Sequence, residues 1–127
     1  MEPQSLATRN LTRHLTFRLP SGQSVAKAMG EKILAPSQLV DLQPFGLDRR
    51  TPLWFYILRE AEQDGFGKGR HLGPVGGRIV AEVLIGLMQG DSESYLRQDP
   101  GWIPTLAVNG NFKIANLLDF AGVIIPL

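Results

Sequence analysis

Apolar residues are distributed along this chain in short stretches with helical spacing, separated by glycine and proline. The strongest periodicity is Val75, Ile79, Val83 and Leu87, which recur one helical turn apart and form a single stripe. That spacing predicts a helix from about Gly73-Pro74 to Met88, with proline at the first turn, where its missing N–H costs nothing. Gly76, Gly77 and Gly86 lie inside it and allow close backbone approach, at about 1 kcal/mol of helix propensity each relative to alanine. The run Leu53-Trp54-Phe55-Tyr56-Ile57-Leu58 is apolar on every side. Thr51 as an N-cap with Pro52 at the first helical position predicts that a helix opens there, runs to about Gln63 and stops at Asp64-Gly65. A helix with no polar face is buried on most sides. A chain of 127 residues surrounds such a helix incompletely, so part of its surface is expected to meet a partner.

Weaker signals supply the other elements. Ser21 is expected to cap a helix that runs to Met29 and stops at Gly30. Ser37, after Pro36, is expected to cap a short turn through Leu42, and Asp91 a helix from Ser92 to about Gln98 that ends at Asp99-Pro100. Asn109-Gly110 has the composition of a hairpin turn. The spacing of Ile114, Leu117, Leu118 and Ala121 favours a helix after it, from about Phe112 to Ala121, with Gly122 as its stop. The pattern as a whole predicts an all-α fold of several short helices, with residues 1–127 as a single domain.

Composition narrows the function classes. Hydrophobic residues make up 43% and charged residues 20%, a globular balance. The 13 basic and 12 acidic residues leave a net charge of +1 without a block of either sign, which points away from nucleic acid and anionic membranes. With no cysteine there is no disulfide, thiolate metal site or thiol nucleophile. Met1 to Asn10 has no apolar core of a secretory signal, and no apolar stretch is long enough to span a bilayer. The default expectation is therefore cytoplasmic, with Phe120 to Leu127 read as a docking tail. The glycosylation acceptor pattern Asn10-Leu11-Thr12 is read as chance.

Candidate chemistry is sparse. Gly65 to Arg70 is glycine-rich and basic. It lacks the serine or threonine after Lys68 and the glycine spacing of a phosphate loop, so it reads as a connection between helices. His14 and His71 have no carboxylate at ligand spacing. His71 lies in that connection, and His14 shares a helix face with Asn10 and Arg13, so both read first as solvated side chains and only secondarily as haem ligands. Arg78 and Glu82 have the spacing of an intrahelical ion pair, and Asp48 that of a charge near a helix start. Nothing here assembles a complete catalytic set.

Asn10-Leu11-Thr12-Arg13 followed by Arg18-Leu19-Pro20 resembles a segment of the haem peroxidases of the animal-peroxidase superfamily. Their pattern is Asn-x-x-Arg, a few residues, then glycine, an aliphatic residue and proline. Leu72-Gly73-Pro74 opening a helix and Gly90-Asp91 after it are similar to a later part of the same family. Thr51 to Leu58 and Leu72 to Leu87 look most like its bacterial branch. The resemblance runs from about Leu6 to Val123, and its specificity lies in the order and spacing of these motifs.

The resemblance implies a C-terminal portion of the mainly helical peroxidase fold, with haem as the cofactor of the complete protein and peroxide and an oxidisable donor as its reactants. It implies that Asn10 accepts a hydrogen bond from the ring of a proximal histidine, raising the basicity of that ligand, and that Arg13 contacts a haem propionate. The family's distal histidine, distal arginine and proximal histidine lie upstream of the matching region. The partner implied is thus an N-terminal peroxidase portion, and the chain alone is expected to be inactive, without a catalytic or metal-ligating residue of its own. The departures are Leu15 and Thr16, where a second arginine and an acid are usual, and Arg18, where glycine is usual. The alternative reading is a stand-alone helical interaction module derived from a peroxidase, docking through Leu53 to Leu58.

Overall fold

A computed structural model describes residues 5–63, 65 and 68–123, and these are helical with turns between. In chain order come α1 (Leu6–Thr16), α2 (Gly22–Met29), a 3₁₀ segment (Pro36–Phe45), α3 (Leu53–Glu62), α4 (Pro74–Gly90), α5 (Tyr95–Gln98) and α6 (Ile114–Phe120). Among the described residues the only extended pairing is an isolated bridge between Val108 and Asn111. The fold is all-α. Where the sequence reading takes residues 1–127 together, the chain groups into two compact units, Met1–Val83 and Leu84–Leu127.

In the first unit, Ala26, Leu34, Leu39, Leu42, Tyr56 and Val75 form the core, with Val25, Met29, Leu53, Phe55, Ile57 and Ile79 packed around them. Tyr56 is its centre. The ring is fully buried and its hydroxyl accepts the Leu34 N–H at 2.9 Å, so the polar end of the side chain is satisfied. Burial pushes the phenol above its ordinary value. α2 meets α3 here at Gly22, where a Cβ would stand 2.0 Å from Tyr56 Cγ. Glycine is therefore required at the first residue of α2 by a close approach.

The start of α3 differs from expectation in an instructive way. Pro52, not Thr51, is the residue before the first helical turn, and it offers no side-chain cap. Thr51 is fully buried, and its hydroxyl donates to the Leu47 carbonyl at 2.8 Å. Gln23 of α2 holds it from the other side, accepting the Thr51 N–H at 3.0 Å and donating to Thr51 Oγ1 at 2.8 Å. A tertiary network has taken the hydroxyl that local sequence assigned to a cap. The Leu53 N–H, left without a local acceptor, points instead to Nδ1 of His14 on α1, 3.4 Å away.

Helix ends repeat one device. In α2 the N–H groups of Gly30 and Glu31 turn back to the carbonyls of Lys27 and Ala26, with Gly30 at φ 73°. Gly46 and Leu47 close the 3₁₀ segment in the same way, and Gly122 and Val123 close α6. This is the left-handed Schellman cap, for which glycine is suited because it has no Cβ. α1 ends in the same pattern, with Arg18 N–H to Leu15 O at 3.1 Å and Leu19 N–H to His14 O at 3.0 Å. Here the left-handed position is an arginine, Arg18, at φ 49°.

Two further expected caps are displaced. The 3₁₀ segment begins after Ala35, whose N–H donates to Gln38 Oε1 at 2.8 Å, rather than at Ser37. Asp91 accepts the N–H of Glu93 at 2.9 Å and so forms a turn instead of opening a helix at Ser92. α5 starts only at Tyr95, after Ser94, whose hydroxyl bonds the Met88 carbonyl.

In the second unit Asn109 and Gly110 both have positive φ, 52° and 74°, the signature of a two-residue I′ turn. Val108 and Asn111 exchange backbone hydrogen bonds across it at 3.2 and 3.0 Å. The helix after the turn then begins at Ile114, with Asn116 Oδ1 accepting the Lys113 N–H at 2.7 Å. No described residue of this unit is buried.

Candidate functional site

α1 carries the residues that the sequence singled out. Ser5 caps it by accepting the Thr8 N–H at 3.4 Å. Ala7, Leu11 and His14 repeat at helical spacing and face α3. Ala7 and Leu11 border a cleft of about 490 Å³ with Trp54, Phe55, Leu58 and Arg59 of α3. Arg59 is fixed there by Asp41 at 2.5 Å, by Glu62 at 3.4 Å and by the Phe55 ring, whose centroid is 5.4 Å from the guanidinium carbon.

Asn10 and Arg13 lie one turn apart on the adjoining stripe of α1. Asn10 is half-buried and Arg13 exposed. Arg13 NH1 donates to Asn10 Oδ1 at 3.4 Å, a long contact that competes poorly with a better donor. The same stripe presents Leu6 and Phe17, 67% and 68% exposed. A polar pair flanked by two large uncovered apolar side chains therefore forms the outer face of this helix. An amide oxygen can accept an N–H and an exposed guanidinium can contact a carboxylate.

The two histidines differ in the ring nitrogen that they leave free. Nδ1 of His14 faces the Leu53 N–H and so carries the lone pair, which in a neutral ring leaves the proton on Nε2. The nitrogen still available to a ligand is then the protonated one. His71 Nδ1 donates to the Leu72 carbonyl at 2.9 Å, which in a neutral ring leaves the lone pair on the exposed Nε2. Among the described residues no group of three or more His, Asp or Glu side chains is arranged to hold a metal ion.

Other sequence-derived candidates resolve into structural roles. Arg78 and Glu82 form the expected ion pair, with Nε 2.6 Å from Oε1, and Arg78 also donates to the Met29 carbonyl of α2 at 3.0 Å. The hydrogen bond to Glu82 raises the guanidinium further above its already high value. Asp48 accepts from Gln23 Nε2 through its backbone oxygen. The glycine-rich connection falls partly outside the described residues. Gly69 N–H donates to the Ala61 carbonyl at 2.8 Å, and Lys68 has φ 53°. The tail read as a docking segment also lies outside the described residues beyond Val123.

Sequence reasoning missed Glu60. It is fully buried on α3, and its carboxylate accepts the Val75 N–H at 3.0 Å and the Gly76 N–H at 3.3 Å. These are first-turn donors of α4, orphaned in any helix, and an anion is favoured at that end. The signal was present as an acid on an apolar helix, but the pairing partner lies 15 residues away.

The large apolar surfaces are distributed otherwise than expected. Within Leu53 to Leu58 only Leu58 is exposed, at 45%. The uncovered surface is on α4, where Val80, Val83, Leu84, Ile85 and Leu87 are 44–66% exposed. In the second unit Tyr95 and Trp102 meet edge to face with centroids 5.3 Å apart. They line a cleft of about 530 Å³ with Leu106, Phe112 and Leu117. No helix among the described residues is long and apolar enough to cross a membrane.

Comparison of the chain with protein-family models, with curated proteins and with solved structures yields no match.

Proposed function

We propose that these residues form the C-terminal helical shell of a haem peroxidase of the animal-peroxidase type, in which α1 supports the proximal side of the haem. The haem supplies peroxide-dependent oxidation of a donor, and its axial and distal histidines come from sequence outside this chain. Asn10 accepts the ring N–H of the axial histidine and holds the ring in one orientation. Arg13 neutralises a propionate.

The observation that carries the reading is the conformation of Arg18. It stands at the position where the family pattern has glycine before an aliphatic residue and proline. Its backbone is left-handed at φ 49°, in a cap that α2, the 3₁₀ segment and α6 close with glycine. An arginine held in a glycine conformation is what a glycine-to-arginine replacement would leave on a retained backbone. The stripe of exposed Leu6, Arg13 and Phe17 with half-buried Asn10 gives independent support, since it offers a covering element both polar partners and apolar contact.

The exposed apolar residues on α4 also suit the second reading, an interaction module without haem. Expression of the whole coding frame that contains these residues separates the two. The peroxidase reading expects a Soret band and peroxide-dependent oxidation of a chromogenic donor, with both lost when the axial histidine is replaced. A product of the whole frame that takes up no haem favours the module and overturns the proposal.

A further inference from the structure

Asn109 and Gly110 form a turn that no part of the haem reading uses. Both residues are exposed, and both have positive φ, 52° and 74°. Among the described residues no hydrogen bond engages the Asn109 side-chain amide or the Gly110 N–H. Nothing lies within 4 Å of the place where a Cβ on Gly110 would stand. A side-chain amide and the next backbone nitrogen along the chain are thus both open to water and free of partners.

We propose that Asn109-Gly110 is a self-modification site, at which Asn109 deamidates through a cyclic imide formed with the Gly110 nitrogen. Water or hydroxide removes the Gly110 amide proton, and the electron pair on nitrogen attacks Asn109 Cγ. A new Cγ–N bond forms, the Cγ–Nδ2 bond breaks, and the side-chain nitrogen takes up a proton and leaves as ammonia. Water then opens the imide at either carbonyl, giving aspartate or isoaspartate. Water is the sole co-reactant, and nothing is oxidised or reduced.

Of the four asparagines in the chain, Asn109 alone precedes glycine. A side chain on the following residue crowds the attack, whereas glycine leaves the backbone free to rotate into the geometry that ring closure needs. Asn10 and Asn116 lie within α1 and α6, are followed by Leu11 and Leu117, and have their amide oxygens engaged by Arg13 and by the Lys113 N–H. Asn111 is followed by Phe112. The turn at Asn109 has to open for the ring to close. It is held by two backbone hydrogen bonds between Val108 and Asn111, at 3.2 and 3.0 Å, in a unit with no buried residue among those described. An isolated pairing of that kind opens at small cost. The product carries a carboxylate in place of an amide. Isoaspartate also inserts a carbon into the main chain, which breaks the Val108–Asn111 register.

The test is ageing of the full chain at mildly alkaline pH, folded and in urea, followed by digestion and mass spectrometry. Fragmentation places the change along the peptide, and chromatography separates the aspartate and isoaspartate forms. Asn109 is expected to gain the amide-to-acid mass difference several-fold faster than Asn10, Asn111 or Asn116, with isoaspartate in excess. Gly110→Ala is expected to slow the conversion several-fold. Because that variant also strains a positive φ, its rate is compared with the native sequence in urea, where the turn is absent from both. Asn109 left intact in the folded chain while it converts in urea, conversion to aspartate alone, or an undiminished rate in Gly110→Ala overturns the proposal.

Discussion

Arg18 and His14 each occupy a conformation or a contact that their residue type does not suggest. Arg18 carries a side chain through a left-handed cap, a conformation that costs roughly 1 kcal/mol or more for a residue other than glycine. Arg18→Gly removes that cost, partly offset by the greater freedom of glycine in the unfolded chain. The urea midpoint should therefore rise, by the equivalent of about 0.5–1 kcal/mol. A fall on substitution would show that the arginine side chain contributes more than the strain it introduces. His14 faces the Leu53 N–H where a serine or threonine cap would ordinarily serve. His14→Ala leaves that donor to water and is expected to lower stability by about 1 kcal/mol, measured in the same titration.

At the scale of elements, glycine and serine punctuation was the readable part. Ser21 to Gly30 appears as read, with Ser21 Oγ accepting the Ser24 N–H at 3.3 Å and Gly30 left-handed. The Asn109-Gly110 turn and the helix after it also follow from local chemistry, because both residues accept positive φ. What local sequence does not reveal are contacts between distant residues. Thr51 has the composition of a cap, yet Gln23, 28 residues away, takes its N–H. Glu60 lies on α3 but completes α4. Asn10 and Arg13 are legible only as a spacing, and their common stripe is set by Ala7, Leu11 and His14 facing α3. Contact between α2 and α3 depends in the same way on a residue without a side chain. Gly22→Ala would drive a methyl group into the Tyr56 ring, and overpacking of this kind costs about 1–3 kcal/mol. The thermal midpoint should drop accordingly, and an unchanged midpoint would mean that α2 can shift away from α3 freely.

For the molecule as a whole, the proposal assigns α1 to a surface against which a haem-bearing portion packs, with Asn10 as the residue nearest the axial ligand. A hydrogen bond accepted from the axial imidazole makes that ligand a stronger electron donor and stabilises ferric iron, so loss of the bond raises the iron's reduction potential. The most direct test is the reduction potential of the haem protein produced from the whole coding frame, compared with its Asn10→Ala variant. The account expects full haem incorporation in both and a more positive potential in the variant. Equal potentials with equal haem content, or a frame whose product binds no haem, would contradict it.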